Sequence, residues 1–207
     1  MIPYRQGRTI LSADTNLSIV NASARHAGTV APIVALGGIL IATAVDPTFS
    51  WTHDALSDLG IREESAVIFN GALIVGGGLG LLYSWGVWTA ATTRVDRFIA
   101  GIFGASCLAL AGVGVFVIGH PFHLPAAIAF YVLFTVTMLA DGLVRRRTET
   151  GVLVLGLVVV HVAIWVTWMN GLWPGAGLAL PEYAGAVLVP MWVWFLGPEP
   201  TLLASQD

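Results

Sequence analysis

Residues 151–169 read GVLVLGLVVVHVAIWVTWM, a stretch with no charge and a single ionisable side chain, His161. A helix needs roughly 20 mostly apolar residues to cross a bilayer core, so this run alone is long enough to span. Working outward, comparable runs cover Ala27 to Val45, Ala66 to Ala91, Phe98 to Ile118 and Leu124 to Val144. A shorter one covers Glu182 to Leu196, carries Pro190, and has a possible earlier start near Leu178. None shows the period-two alternation of a membrane barrel strand. Backbone polar groups find no water in lipid, so each run must satisfy its own hydrogen bonds as a helix. The sequence therefore predicts an all-α fold, an integral membrane bundle of six transmembrane helices.

Composition agrees. Of 207 residues, 57% are hydrophobic and 10% charged, with mean hydropathy +0.83; a water-soluble domain carries about a quarter charged residues. Nine basic residues against twelve acidic ones give a net charge of −3 with no basic stripe, which excludes a nucleic-acid binder. The lone cysteine, Cys107, excludes an intrachain disulfide framework and a thiolate metal cluster.

Every basic residue is an arginine. Arg5, Arg8, Arg25, Arg94, Arg97, Arg145, Arg146 and Arg147 fall at one end of the spans and Arg62 alone at the other. The positive-inside rule then places both termini in the cytoplasm of a cell-membrane protein. The expected division is a cytoplasmic segment 1–26, a six-helix domain 27–196 and a cytoplasmic tail 197–207. The N-terminal segment lacks the apolar run directly after a charged start that marks a cleavable signal. Glycines cluster on spans two and three, as Gly76-Gly77-Gly78 with Gly80 and again at Gly101, Gly104, Gly112 and Gly114. Small residues allow close helix approach, so these faces are read as inter-helix contacts and a possible route to a homo-oligomer. The tryptophans lie mostly near span ends and read as an interfacial belt.

The outer loops hold the polar chemistry. The first, 46–65, reads DPTFSWTHDALSDLGIREES and contains five acids beside Arg62; the second is Gly119-His120-Pro121-Phe122-His123. Within the first, Trp51 to Gly60 is expected to form a short interfacial helix, capped by Thr52 and ended by a left-handed Gly60. Helical spacing would pair Asp54 with Asp58 and His53 with Ser57, and Ser50 joins the His53 side if the helix begins there. The expected ligand-binding set is Ser50, His53, Asp54, Ser57, Asp58, Asn70, His120 and His123.

Several readings of this group stay open. Imidazole nitrogens with carboxylate oxygens suit zinc, with His53, Asp58, His120 and His123 as candidate ligands. A membrane-embedded lipid hydrolase would use Ser57 as nucleophile or water positioner, with Asp58 and His123 in the catalytic set. Hydrogen bonding to a lipid headgroup or small ligand is the leading reading, membrane lipids being the partner. The plainest alternative is that the acids and hydroxyls cap local backbone while the histidines rest at the membrane surface. His161, roughly 15 Å into its span, is either a proton carrier or a neutral imidazole bonded to Thr135, Thr137 or Ser106. The absence of a carboxylate near the middle of any span favours the second and disfavours a proton-coupled transporter. Asp141, four residues before Arg145, reads as a helix-end ion pair.

The string Phe49-Ser50-Trp51-Thr52-His53-Asp54-Ala55-Leu56-Ser57-Asp58-Leu59-Gly60, followed by Phe69-Asn70-Gly71-Ala72-Leu73-Ile74, resembles the prokaryotic six-span membrane family catalogued as domain of unknown function 998. Gly112 to Phe130, with His123, Ala126, Ala127 and Phe130, is similar to that family's second motif, although Phe116-Val117 stands where a Phe-Pro pair is usual. The resemblance covers about residues 27–196 and implies the six-span layout but no assigned activity. A more distant likeness to the FGF-receptor-activating, autophagy-modulating and GPI-remodelling membrane proteins leans toward roles in lipid chemistry.

Overall fold

A computed structural model describes residues 7–198, with side chains from residue 22 onward. Six long helices run antiparallel: α1 Gly7–Val45, α2 Ala66–Ala90, α3 Arg94–Val115, α4 His123–Val144, α5 Glu149–Met169 and α6 Ala179–Met191, the last prolonged by a π-helical turn at Trp192–Leu196. A 3-10 helix, Leu56–Ile61, lies between α1 and α2. Each long helix contains a segment apolar and long enough to cross a membrane, that of α1 being Ala22–Val45 and that of α6 Ala179–Leu196. The chain is an all-α, six-span membrane bundle. Its helices turn at two ends: a loop end with residues 46–65, 116–122 and 170–178, and an arginine end with the α2–α3 and α4–α5 turns.

The helix boundaries follow local chemistry. Thr93 caps α3 by accepting from the Asp96 N–H at 3.1 Å, and Thr148 caps α5 by accepting from Gly151 N–H at 3.1 Å. Each hydroxyl satisfies one of the amides that a first turn leaves unbonded. The α5 C-terminus is closed by Gly171, whose φ of +69° permits the Leu172 N–H to reach the Thr167 carbonyl at 3.0 Å. Pro190 has no N–H to give the carbonyl one turn back, and the helix widens just after it. There Gly197 N–H bonds Trp192 O, five residues earlier, at 2.6 Å.

The glycine triplet is a packing device within one chain. A Cβ on Gly76 would meet Ala35 Cβ at 2.8 Å, and one on Gly77 would meet the Cys107 carbonyl at 2.6 Å. Consecutive residues point about 100° apart around a helix, so α2 approaches α1 with one glycine and α3 with the next. Gly78 faces open space.

At the arginine end the expected Asp141–Arg145 pair is present and larger than its spacing announces. Asp141 is 1% exposed and accepts from Arg145 Nε at 2.7 Å, from Arg145 Nη2 and from Trp192 Nε1 at 2.8 Å. Arg145 also donates to the Leu196 carbonyl. The pair thus fastens α4 to the end of α6. Trp192 is accordingly buried at 1% exposure, its ring tilted 51° against Phe103 with centroids 5.0 Å apart. The interfacial belt expected of the tryptophans does not include it, because its indole N–H has a buried carboxylate to satisfy.

Candidate functional site

The first loop holds a short helix, as expected, but it starts later than Trp51 and is a 3-10 helix. Residues 51–54 form a turn, Ala55 is extended (φ −92°, ψ 154°), and the 3-10 helix begins only at Leu56. The break at Ala55 sends the two aspartates to different partners instead of pairing them. Asp54 accepts from Ser50 N–H at 2.8 Å and lies 2.9 Å from Arg62 Nη2. Asp58 accepts from the Ala55 N–H at 2.8 Å. Gly60 is not left-handed; it lies within the 3-10 helix, where a Cβ would meet Asn70 Oδ1 at 2.7 Å. Asn70 donates to the Gly60 carbonyl at 2.8 Å, tying α2 to the loop.

Arg62 organises the loop's charge. It reaches buried Asp46 at 3.2 Å as well as Asp54. Asp46 is held below the usual carboxylate range first by the Thr48 hydroxyl, with Arg62 adding to it. Asp54 is held low first by the Ser50 N–H and then by Arg62. Both therefore stay ionised at neutral pH as fixed parts of the loop.

The histidines do not converge. His53 is exposed, and its Nδ1 meets the hydroxyls of Thr52 at 2.9 Å and Ser50 at 3.1 Å; Thr52 serves the histidine here and caps no helix. His120 stacks on Phe116 with centroids 4.8 Å apart and accepts the Phe122 N–H at 3.2 Å. His123 donates through Nδ1 to the Phe116 carbonyl at 2.6 Å, closing the exposed α3 end. Among the described residues no three His, Cys, Asp or Glu side chains gather as metal ligands. The candidate zinc set is split between the first loop, with His53 and Asp58, and the turn that holds His120 and His123, each bonded locally.

What the loop end does gather centres on a residue absent from the expected set, Glu182 in the first turn of α6. Its Oε2 accepts the Leu56 N–H at 2.7 Å, 126 residues away in sequence, and its backbone carbonyl accepts from the Tyr131 hydroxyl at 2.9 Å. The third loop is strapped to the first by Gly177 N–H to Thr52 O and Ala179 N–H to Asp54 O, both 2.9 Å. Gly175, at φ +76°, lies so close to the Thr52 backbone that any side chain would collide.

Two spaces meet at this junction. One is a cavity of about 50 Å³ beneath the 3-10 helix, bordered by Ser57, Tyr131 and Glu182 among apolar residues. The other is a crevice of about 250 Å³ bordered by α4, Trp165 of α5 and the start of α6. Its rim residues Leu124, Ile128 and Val132 are each more than half exposed, so it faces lipid. Ala127, Tyr131 and Glu182 border both spaces.

The floor of the crevice resolves the alternatives for His161. Thr135 donates to the Tyr131 carbonyl at 2.7 Å, so its oxygen accepts from His161 Nδ1 at 2.8 Å. That tautomer leaves Nε2 as an acceptor, and Trp165 Nε1 points at it from 3.4 Å. Both nitrogens of a neutral imidazole are thereby occupied, and Thr135 is the partner among the three candidates. Ser106 and Thr137 donate instead to the carbonyls of Phe130 and Leu133.

Sequence reading missed Glu182, Tyr131 and Trp165 as site residues. The available signal was Glu182 itself, an acid at the very start of an apolar run. Its partners sit on other helices and have no spacing signature.

These features define a polytopic α-helical membrane protein whose loops at one end are strapped over a polar junction that borders a lipid-facing crevice. A family model described as "Protein of unknown function (DUF998)" matches residues 29–197, and the chain belongs to that family. No curated protein and no solved structure matches it.

Proposed function

We propose that this membrane protein binds a lipid or small amphipathic ligand at its loop end. The ligand's apolar part occupies the α4–α5 crevice, and its polar part reaches Glu182, Tyr131 and Ser57. The observation that carries this reading is the shared wall: one carboxylate and one phenol border both a lipid-facing crevice and a small cavity with a hydroxyl on its far side. A ligand pocket of this kind is mostly apolar with a few placed polar groups. An acceptor such as Glu182 favours a headgroup that carries hydroxyl or ammonium donors. Ser50, His53, Asp54, Asp58, Asn70, His120 and His123 border neither space and contribute in this account only by holding the surrounding loops.

Hydrolysis has less to rest on. Among the described residues Ser57 makes no hydrogen bond to a histidine, and a serine nucleophile needs a base within reach. The eight-to-one division of arginines supports a cell-membrane location with the loop end outside and both termini in the cytoplasm.

The test is native mass spectrometry of protein released from lipid nanodiscs. Wild type is expected to retain a lipid that Glu182→Gln and Ile128→Trp each lose. Equal retention by all three would overturn the reading.

A further inference from the structure

A second, unrelated surface lies at the arginine end, on the lipid-facing side of α2 and α3. Arg94, Arg97, Gly101, Ala105 and Leu108 recur every three or four residues and so share one face of α3. Beside them α2 presents Trp85 and Trp88, and Trp88 lies so close over Gly101 that a Cβ there would meet its ring at 2.9 Å. Over α3 run two adjoining stretches of open groove, about 490 Å³ and reaching Leu133 of α4, and about 660 Å³ between α2 and α3, which share Trp88, Gly101 and Ala105. The first ends at Arg94 and Arg97; the second continues past Leu108 to Gly78.

Charge and length identify the occupant. Arg94 and Arg97 are exposed, and among the described residues the ion pairs involve only Arg62 and Arg145. Asp96, between them in sequence, accepts from the Thr93 hydroxyl at 2.7 Å and pairs with neither arginine. Two guanidiniums outside any ion pair therefore stand at the membrane-surface end of an apolar groove, a match for phosphate oxygens. From Arg97 to Leu108 the helix rises roughly 16 Å, about half the bilayer's hydrocarbon thickness and the depth of one leaflet.

We infer that this groove is a binding site for an anionic phospholipid. Its phosphate sits on Arg94 and Arg97, and an acyl chain lies over Gly101 and Ala105 against Trp88. Basic residues beside transmembrane grooves select anionic headgroups in this way.

The experiment reloads wild-type protein in nanodiscs of equal phosphatidylglycerol and phosphatidylcholine and counts retained lipids by native mass spectrometry. Wild type is expected to favour phosphatidylglycerol by about 10-fold. Arg94→Gln with Arg97→Gln abolishes the preference, and Ala105→Trp, which fills the groove without changing charge, removes the lipid. Arg146→Gln with Arg147→Gln, at the same end but off the groove, leaves both intact. Three results overturn the site: a preference that survives the Arg94/Arg97 change, one lost equally in the Arg146/Arg147 variant, or a second copy of the chain in place of lipid. All four substituted arginines are exposed, so unfolding temperatures matching wild type separate loss of lipid from loss of fold.

Discussion

The backbone N–H of Leu56 donates to the Glu182 carboxylate at 2.7 Å, joining the first loop to the first turn of the last helix. The bond closes the strap that residues 177 and 179 begin, and it fixes the carboxylate on the wall between crevice and cavity. Glu182→Gln keeps an acceptor of the same size for the Leu56 N–H. Glu182→Ala leaves the Leu56 amide unpaired, a loss of about 1–3 kcal/mol. Thermal unfolding in nanodiscs is expected to place Glu182→Ala below both wild type and Glu182→Gln. Faster proteolytic nicking within residues 46–65 should accompany that loss.

Asp141 offers a sharper effect at the opposite end. Asp141→Ala strands Arg145 and the Trp192 indole in a site where the carboxylate is 1% exposed. Breaking a buried pair from one side costs about 3–5 kcal/mol. Replacing Glu149, which is exposed near the same turn, is expected to change stability by less than about 0.5 kcal/mol. Comparable losses in the two variants would remove the clamp from this account.

The first loop should respond to acid in a defined window. Asp46 and Asp54 have folded values below their ordinary ones. Their stabilisation is complete above the unfolded carboxylate value, about 4, and disappears as pH falls through the lower folded values. Hydrogen exchange at Thr48 and Ser50, whose amides these two carboxylates hold, corrected for intrinsic rate, is expected to rise below about pH 4. Arg62→Gln should move that rise upward in pH. Loosening already between neutrality and about pH 5 would show that other groups control the loop.

Adjacent glycines separate packing from propensity. Gly77→Ala drives a methyl toward the Cys107 carbonyl and is expected to cost about 1–3 kcal/mol as α2 and α3 part. Gly78→Ala meets nothing within 4 Å, and its helix propensity makes it neutral or stabilising by up to about 1 kcal/mol. Equal effects in thermal unfolding would contradict the assigned faces.

The six spans were legible because an apolar run is a local property, and every boundary but the start of the first falls within four residues of the expected one. The Asp141–Arg145 pair was legible for the same reason, since both partners share one helix turn. The first loop was misread where one residue, Ala55, takes extended backbone; composition alone gave no cause to break a helix there. Trp192 was assigned to the surface because its partner Asp141 lies 51 residues away. The strongest polar junction was missed because Glu182, Tyr131 and Leu56 meet only after the helices have packed. Of the expected segments 1–26 and 197–207, residues 1–6 and 199–207 lie outside the described residues, while α1 continues as helix from its span back to Gly7.

In the proposed function the crevice beside Tyr131 and Glu182 holds a particular ligand, not passing bilayer lipid. The direct measurement places a photoreactive group at Ile128, inside the crevice, and in a second variant at Val159, an exposed position on α5 outside it. Lipid captured at position 128 is expected to saturate, to fall when unlabelled membrane extract is added in excess, and to vanish with Glu182→Gln. Capture at 159 should do none of these. Identical, non-saturating capture at both positions would show an ordinary lipid-facing wall and contradict the proposal.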